Sequence, residues 1–267
     1  MTVYSLFSGS SGNCIFIREN NTRVLLDAGG SFKRISEALE NIGETPASID
    51  AILLTHEHSD HTMGLEGFLK KREVPVFCLK KVAKEIYLAL LAKKGAGNGA
   101  SLLAKWIRTV EPGEEYEWGS VSFTPFSTPH DSMDSCGYVF NGKTLGVATD
   151  LGTVTPEVEE ALCGCKNVIL ESNHDTEMLF SGPYPPYLKE RVASDHGHLN
   201  NRDCASFACR LFCAGCRNLM LFHLSAENND PELALETTRL ALEQIEGFRD
   251  SGFSLSAALR RSETRLL

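Results

Sequence analysis

Ala51-Ile52-Leu53-Leu54-Thr55-His56-Glu57-His58-Ser59-Asp60-His61 passes from an apolar run straight into three histidines and two acids. The apolar part, Ala51–Thr55, reads as a short buried strand. The polar part has little structural use, because histidine, serine and aspartate are weak formers of both helix and strand. His56 and His58, two residues apart, can point the same way from extended chain. Asp60 and His61 follow after a turn and can face a second position close by. Imidazole with carboxylate suits zinc, manganese or iron.

Five more apolar runs have the same form: Val24–Leu26, Val121–Phe126, Leu145–Thr149, Val168–Leu170 and Leu219–Phe222. Each ends in, or leads to, a metal-capable residue: Asp27, His130, Asp150, Glu171 and His223 respectively. Ligands at the carboxyl ends of several strands converge on one edge of a layered sheet. Helical patterns alternate with the strands. Ile35, Leu39 and Ile42 share one face, as do Val82, Ile86 and Leu90, and Asp230-Pro231 reads as an N-cap followed by proline at the first helical position. The fold class is therefore α/β. The run from Gly95 to Gly99 reads as a loop between helices rather than a boundary, so residues 1–267 are expected to form a single domain. Leu-Leu-Asp-Ala-Gly at Leu25–Gly29 and Ala-Thr-Asp-Leu-Gly at Ala148–Gly152 hint at two related halves.

The composition, 42% apolar and 23% charged, is that of a globular protein. No stretch approaches the ~18 apolar residues of a membrane span, and the start lacks a basic, apolar leader, so a cytoplasmic location without a membrane partner is expected. Nine scattered cysteines then read as free thiols. Cys209, Cys213 and Cys216 are read as one buried helix face rather than a zinc site, because no fourth ligand stands in a recognisable place. The net charge of −9 argues against simple electrostatic binding of nucleic acid. Residues 70–94 depart from it, with eight basic residues against two acidic, a net +6 that leaves −15 elsewhere. This segment is either a solvated helix face or a local basic patch, with Lys80, Lys81 and Lys84 as candidate contacts.

The His56–His61 motif resembles that of the metallo-β-lactamase superfamily. That resemblance implies an αββα sandwich with a binuclear centre on its upper edge. It assigns His56, His58 and His130 to a first metal, Asp60, His61 and His223 to a second, and Asp150 as the bridge between them. Asp27 then orients the ligand loop from behind. The cofactor so implied is two divalent transition-metal ions, zinc or manganese, with iron also admissible.

Further stretches narrow the resemblance. Phe7-Ser8-Gly9-Ser10-Ser11-Gly12-Asn13-Cys14, Pro129–Ser132, Glu171–Asp175, Gly182–Pro185, Gly197-His198-Leu199-Asn200-Asn201 and His223–Asn229 together look like the YycJ/WalJ group of bacterial proteins, described as 5′-to-3′ exonucleases acting on DNA. Asn200 stands where that group usually has Ser. No inserted clamp of the ribonuclease J type fits between Asp150 and His223. The resemblance implies a phosphodiesterase with a nucleic-acid substrate, DNA in preference to RNA. Asp60, His198 and Glu171 are its catalytic candidates: His198 as the acid for the leaving alkoxide and Glu171 as the carboxylate that orients it, a pairing like that of tRNase Z-like nucleases. His174 and His196 are weaker candidates for the acid. Ser10, Ser11 and Asn13, in a loop that is either a tight hairpin or a phosphate cradle, are candidate substrate contacts. Two other readings stand beside the nuclease. One is a small-molecule hydrolase, such as a cyclic-nucleotide phosphodiesterase or a thioesterase, which the acidic charge favours. The other is a metal-binding sensor without catalysis, against which the full ligand set speaks. Fold alone does not choose among them.

Overall fold

The apolar runs expected as strands are all strands, divided between two seven-stranded sheets. The computed structural model describes residues 1–92 and 99–267. Lys93, Lys94 and the run from Gly95 to Asn98 lie outside the described residues, and Gly99, expected in a loop, is the first residue of a helix. The first half of the chain supplies β1 (Thr2–Phe7), β2 (Cys14–Glu19), β3 (Thr22–Leu26), β4 (Ala51–Leu53), β5 (Val76–Leu79) and β6 (Ile107–Val110). Its helices are α1 (Phe32–Asn41), α2 (Ser59–Thr62), α3 (Leu65–Lys71), α4 (Lys80–Ala92) and α5 (Gly99–Trp106). The second half supplies β7 (Tyr116–Trp118), β8 (Val121–Ser127), β9 (Cys136–Phe140), β10 (Leu145–Ala148), β11 (Asn167–Glu171), β12 (Asn218–Phe222) and β13 (Ser254–Ala257). Its helices are α6 (Pro156–Leu162), α7 (Thr176–Ser181), α8 (Pro186–Val192), α9 (Asn201–Cys213) and α10 (Pro231–Leu242). A last strand, β14 (Thr264–Arg265), returns to pair with β1.

The two sheets share one plan. The first runs β14-β1-β2-β3-β4-β5-β6 and the second β7-β8-β9-β10-β11-β12-β13. In each, the first four strands are antiparallel and the fourth begins a parallel run of four. The pivotal strands β3 and β10 are the ones that lead into Asp27 and Asp150, so the short sequence likeness there coincides with a topological one. Parallel strands all leave at the same edge of their sheet. That edge therefore collects Asp27, His56 and Lys80 after β3, β4 and β5, and Asp150, Glu171 and His223 at the ends of β10, β11 and β12.

The main core fills the space between the sheets and continues under α1, α3, α4 and α5. A second cluster packs β10, β11 and β12 against α6, α9 and α10. The Phe77 and Phe123 rings meet across the sheets edge to face at 5.2 Å. Tyr138 Oη donates to Leu54 O at 2.8 Å, which anchors the second sheet to the segment just before the ligand loop. Ile35 and Leu39 of α1 and Val82, Ile86 and Leu90 of α4 are buried as their spacing predicts. Asp230 caps α10, accepting from Glu232 N at 2.8 Å. The cysteine reading needs correction. The buried face of α9 is Cys204, Phe207, Ala208 and Leu211, whereas Cys213 is exposed, Cys209 is half-buried and Cys216 is buried beyond the helix end. Spacing by threes and fours selects a stripe about one residue off the face that packs. None of the three lies in a potential metal cluster among the described residues. No described helix is long and apolar enough to cross a membrane.

Candidate metal centre

The exit of β4 carries His56 and His58 to the sheet edge, where the loop after β8 brings His130 against them, and the three form one potential metal-holding cluster. Two of the rings, those of His56 and His130, are fixed from behind. His56 Nδ1 lies 3.0 Å from Thr55 Oγ1, and His130 Nδ1 donates to Gly197 O at 3.1 Å. The opposite nitrogens then face inward. His56 Nε2 is buried and has no hydrogen-bond partner. His130 Nε2 lies 3.2 Å from His58 Nδ1. Two imidazole nitrogens bound to one tetrahedral zinc at about 2.0–2.1 Å sit roughly 3.3 Å apart, so this spacing and the partnerless nitrogen fit a metal.

Asp60, His61, Asp150 and His223 form a second cluster. His61 Nδ1 donates to Asp27 Oδ2 at 2.7 Å, and Asp27 Oδ1 accepts the Thr55 N–H at 2.9 Å. His61 Nε2 is thereby aimed at Asp150 Oδ2, 3.2 Å away, and at Asp60 Oδ2, 3.5 Å away. His223 Nε2, also buried without a hydrogen-bond partner, lies 3.5 Å from the same Asp60 oxygen. Asp150 reaches both clusters, with Oδ1 3.9 Å from His130 Nε2. Asp27, Asp150 and His223 all have positive φ, at 64°, 55° and 55°. Three non-glycine residues held in the left-handed region at three strand exits are a local strain of about 1–3 kcal/mol each, of the kind that clusters at functional sites. Close backbone approach completes the frame: a Cβ on Gly29 would stand 1.6 Å from Asp60 O, so only glycine lets the loop after β3 lie against the ligand loop.

Glu171, at the end of β11, is wholly buried and accepts four hydrogen bonds. Oε1 takes His198 Nδ1 at 2.9 Å and His223 Nδ1 at 2.7 Å. Oε2 takes the Leu151 and Leu199 N–H groups at 3.0 and 3.1 Å. The expected pairing with His198 is present, and the contact with His223 adds to it. One carboxylate therefore orients both a ring of the second cluster and the candidate acid, while also holding the backbone beside Asp150. His198 is partly open to solvent, its side chain 18% exposed. The weaker candidates differ: burial pushes His174 down to about 4, and His196 is exposed and away from these contacts.

Asn13 occupies a different position from the expected surface contact. It is buried, takes the Gly9 N–H on Oδ1 at 2.8 Å, and donates through Nδ2 to Asp60 Oδ2 at 3.2 Å. Its Nδ2 also lies 3.0 Å from His61 Nε2, so it touches two ligand candidates. Ser10 and Ser11 are exposed. Lys80, Lys81 and Lys84 are exposed on α4, which starts at the site edge, and Lys81 Nζ lies 3.4 Å from Asp134 Oδ2, four residues past His130. Lys70 is engaged by Glu66 at 2.7 Å, so part of the +6 is neutralised by acids outside the segment. Sequence reasoning does not reach Thr55, Ser8 (whose Oγ accepts His223 N at 2.8 Å) or the clamp role of Asn173, which donates to His223 O at 2.9 Å. Their one signal is small polar residues beside strand ends, too common to single out.

The electrostatics of the two clusters differ. Burial, then the neighbouring His61, hold His56 well below the ordinary imidazole range, and burial likewise lowers His130. At His223 burial pulls down, but Asp150 and then Asp60 and Glu171 lift it to about 10. Against the same burial, Asp150 and Asp27 raise His61 well above 6.5. Glu171 is opposed by burial yet held down to about 2 by His198 and His223. The surroundings of His61 and His223 thus favour the protonated ring, whose extra proton a metal must displace, whereas those of His56 and His130 favour the neutral one. Metal uptake near pH 7.5 is expected to release close to two protons, and these are expected to accompany filling of the second cluster. Isothermal titration calorimetry in buffers of different ionisation enthalpy reads that number directly; no proton release, or release confined to the first equivalent, would contradict the assignment.

Comparison with known proteins agrees with this architecture. A β-lactamase superfamily domain model matches residues 22–224. The exodeoxyribonuclease WalJ of Streptococcus pneumoniae is 34% identical over 231 residues, 86% of this chain and 83% of that protein. The exodeoxyribonuclease YycJ of Bacillus anthracis is 31% identical over 261 residues, 97% of this chain and 93% of that protein. Among solved structures, the metallo-β-lactamase fold protein YhfI of Bacillus subtilis superposes with a TM-score of 0.70 at 15% identity, covering 99% of this chain and 98% of that one, a likeness of fold alone. The chain belongs to the metallo-β-lactamase superfamily, among its WalJ/YycJ-like members, and is a metal-dependent hydrolase.

Proposed function

We propose that the protein is a DNA exonuclease working in the 5′-to-3′ direction, in which His56, His58 and His130 would hold one divalent ion, Asp60, His61 and His223 would hold a second, and Asp150 would serve both. The observation that carries the reading is the Glu171–His198 pair set beside both clusters, because a proton donor is what an alkoxide leaving group requires. The relatives named exodeoxyribonuclease, at 31 and 34% identity, support DNA as the substrate. The chemistry such ions supply when bound is a water nucleophile available near neutral pH and neutralisation of charge on the phosphoryl oxygens.

The chain's own residues do the rest. Asp27 and Thr55 lock the His61 and His56 rings, so no reorganisation is needed during the reaction. Hydroxide, whose proton has gone to solvent, attacks phosphorus, the bond from phosphorus to the 3′ oxygen of the terminal nucleotide breaks, and His198 Nε2 gives that oxygen its proton and is reprotonated from solvent. Glu171 stabilises the charge on His198 before the transfer. Lys80, Lys81 and Lys84 lie along α4 where a strand can continue past the scissile phosphate. A small-molecule phosphodiesterase is the second reading, favoured by the net charge of −9.

Incubation with Mn²⁺ or Zn²⁺ and DNA labelled at either end separates them. Stepwise release of mononucleotides from the 5′ end is the expected result, with RNA cut more slowly. Hydrolysis of cyclic nucleotides or a thioester without cutting of DNA would replace the nuclease with the second reading.

A further inference from the structure

Arg34 and Arg260 lie beside the loop of residues 8–13, with Arg261 next in the chain, and among the described residues none of the three has an ion-pair partner. Arg34 Nη1 donates to Ser11 O at 3.0 Å and Nη2 to Arg260 O at 2.9 Å, with its guanidinium 4.0 Å above the Phe7 ring. Arg260 Nη2 donates to Leu224 O at 3.2 Å, one residue past His223. The loop between them is tied to the metal centre from inside, through Ser8 to His223 and through Asn13 to Asp60. Its outer residues, Ser10 and Ser11, are exposed, as is Arg261.

Carbonyl groups fix the Arg34 and Arg260 guanidinium groups in place but leave their charge uncompensated. Burial, then the charge of Arg261, lowers Arg34 from its usual value, so the like charges act on one another. A chain of net charge −9 has acids to spare, yet no described acid forms an ion pair with these arginines. Like charges held together without a counter-ion are destabilising unless an anion joins them. Guanidinium forks and hydroxyls match phosphate oxygens in geometry. Resting on the nuclease reading, we infer that Arg34, Arg260 and Arg261, with Ser10 and Ser11, form a phosphate-binding subsite that holds the nucleic-acid backbone on the Asp60–His61–His223 side of the centre. The lysines of α4 lie on the other side, near His130, so the metal positions sit between two basic flanks.

The test is binding of a fluorescein-labelled single-stranded 12-mer, with phosphorothioate linkages to block cleavage, followed by anisotropy across a sodium chloride series. Arg261→Gln and Arg260→Gln/Arg261→Gln are compared with wild type, leaving Arg34 to support the loop. Each lost contact should reduce the slope of log affinity against log salt by about 0.7 and weaken binding about fivefold at 0.1 M salt. Hydrolysis of methyl p-nitrophenyl phosphate, too small to reach the arginines, should stay unchanged and reports that the centre is intact. If the double variant loses that activity through misfolding, Arg261→Gln alone decides. Binding of wild type and variants that coincides at every salt concentration would overturn the subsite, as would absence of salt-dependent binding by wild type. Binding that depends on the arginines while metal-loaded protein leaves DNA uncut would retain the subsite and remove the nuclease reading.

Discussion

Asp150→Ala is expected to lower turnover on every phosphodiester by at least about 10³-fold and to leave fewer than two metals per chain. Asp150 is the residue that both clusters share in reach: Oδ2 is 3.2 Å from His61 Nε2, and Oδ1 is 3.9 Å from His130 Nε2. It is 2% exposed, and Thr149 Oγ1 donates to it at 2.7 Å. Removing the carboxylate leaves the second position with one acid, Asp60, and exposes the first to drift. Metal-based stabilisation of phosphoryl transfer is worth several kcal/mol, and about 4 kcal/mol corresponds to 10³-fold. Alanine at a φ of 55° also adds backbone strain. Asp150→Asn separates the two effects, because asparagine tolerates the left-handed region while removing the charge. Elemental analysis after metal loading, read beside turnover, checks the assignment. Two ions per chain with activity preserved in both variants would remove Asp150 from the bridging position.

Much of this site is legible in the amino-acid sequence because its chemistry is concentrated at strand ends. An apolar run fixes a strand, and the residue that follows it is displayed at the sheet edge whatever the packing details. That logic reaches Asp27, His56, His130, Asp150, Glu171 and His223 from six short runs. It does not reach residues whose role depends on a neighbour distant in sequence. A small, hydroxyl-rich loop predicts Asn13 as a substrate contact, but the backbone of Asp60 approaches Gly29 so closely that the amide is drawn inward to Asp60. Asn200 departs from the residue usual in the group, and the structure gives the reason it is harmless: its side chain caps α9 by accepting from Arg202 and Asp203 N–H groups, a task serine performs equally well. The asparagines of the same motifs are mostly scaffold. Asn201 and Asn229 form a buried network with Ser172 that joins the end of β11 to the start of α9. The Arg34 cluster is hidden from the sequence because Arg260 comes beside the first loop from the segment that leads into β14, the strand paired with β1.

His198→Ala is expected to retain both metals yet slow DNA hydrolysis by about 10²–10⁴-fold, the usual worth of a general acid. The loss should depend on the leaving group. The alkoxide of a nucleotide needs a proton, whereas p-nitrophenolate leaves without one, so methyl p-nitrophenyl phosphate should lose far less. The pH dependence carries an independent signature. Burial disfavours the charged ring, but the Glu171 charge and hydrogen bond, with Asp150, raise His198 above the ordinary imidazole value. An acid must be protonated to act, so turnover on DNA should be sustained through neutral pH and decline as pH rises through that elevated pKa. In His198→Ala the decline should disappear, leaving a lower and flatter profile. Glu171→Gln is the less clean probe, because the same oxygen also holds His223 and its loss should reduce metal affinity as well as displace the alkaline limb to lower pH. Equal losses on both leaving groups, with the alkaline limb intact, would assign His198 to positioning alone and require another source for the proton.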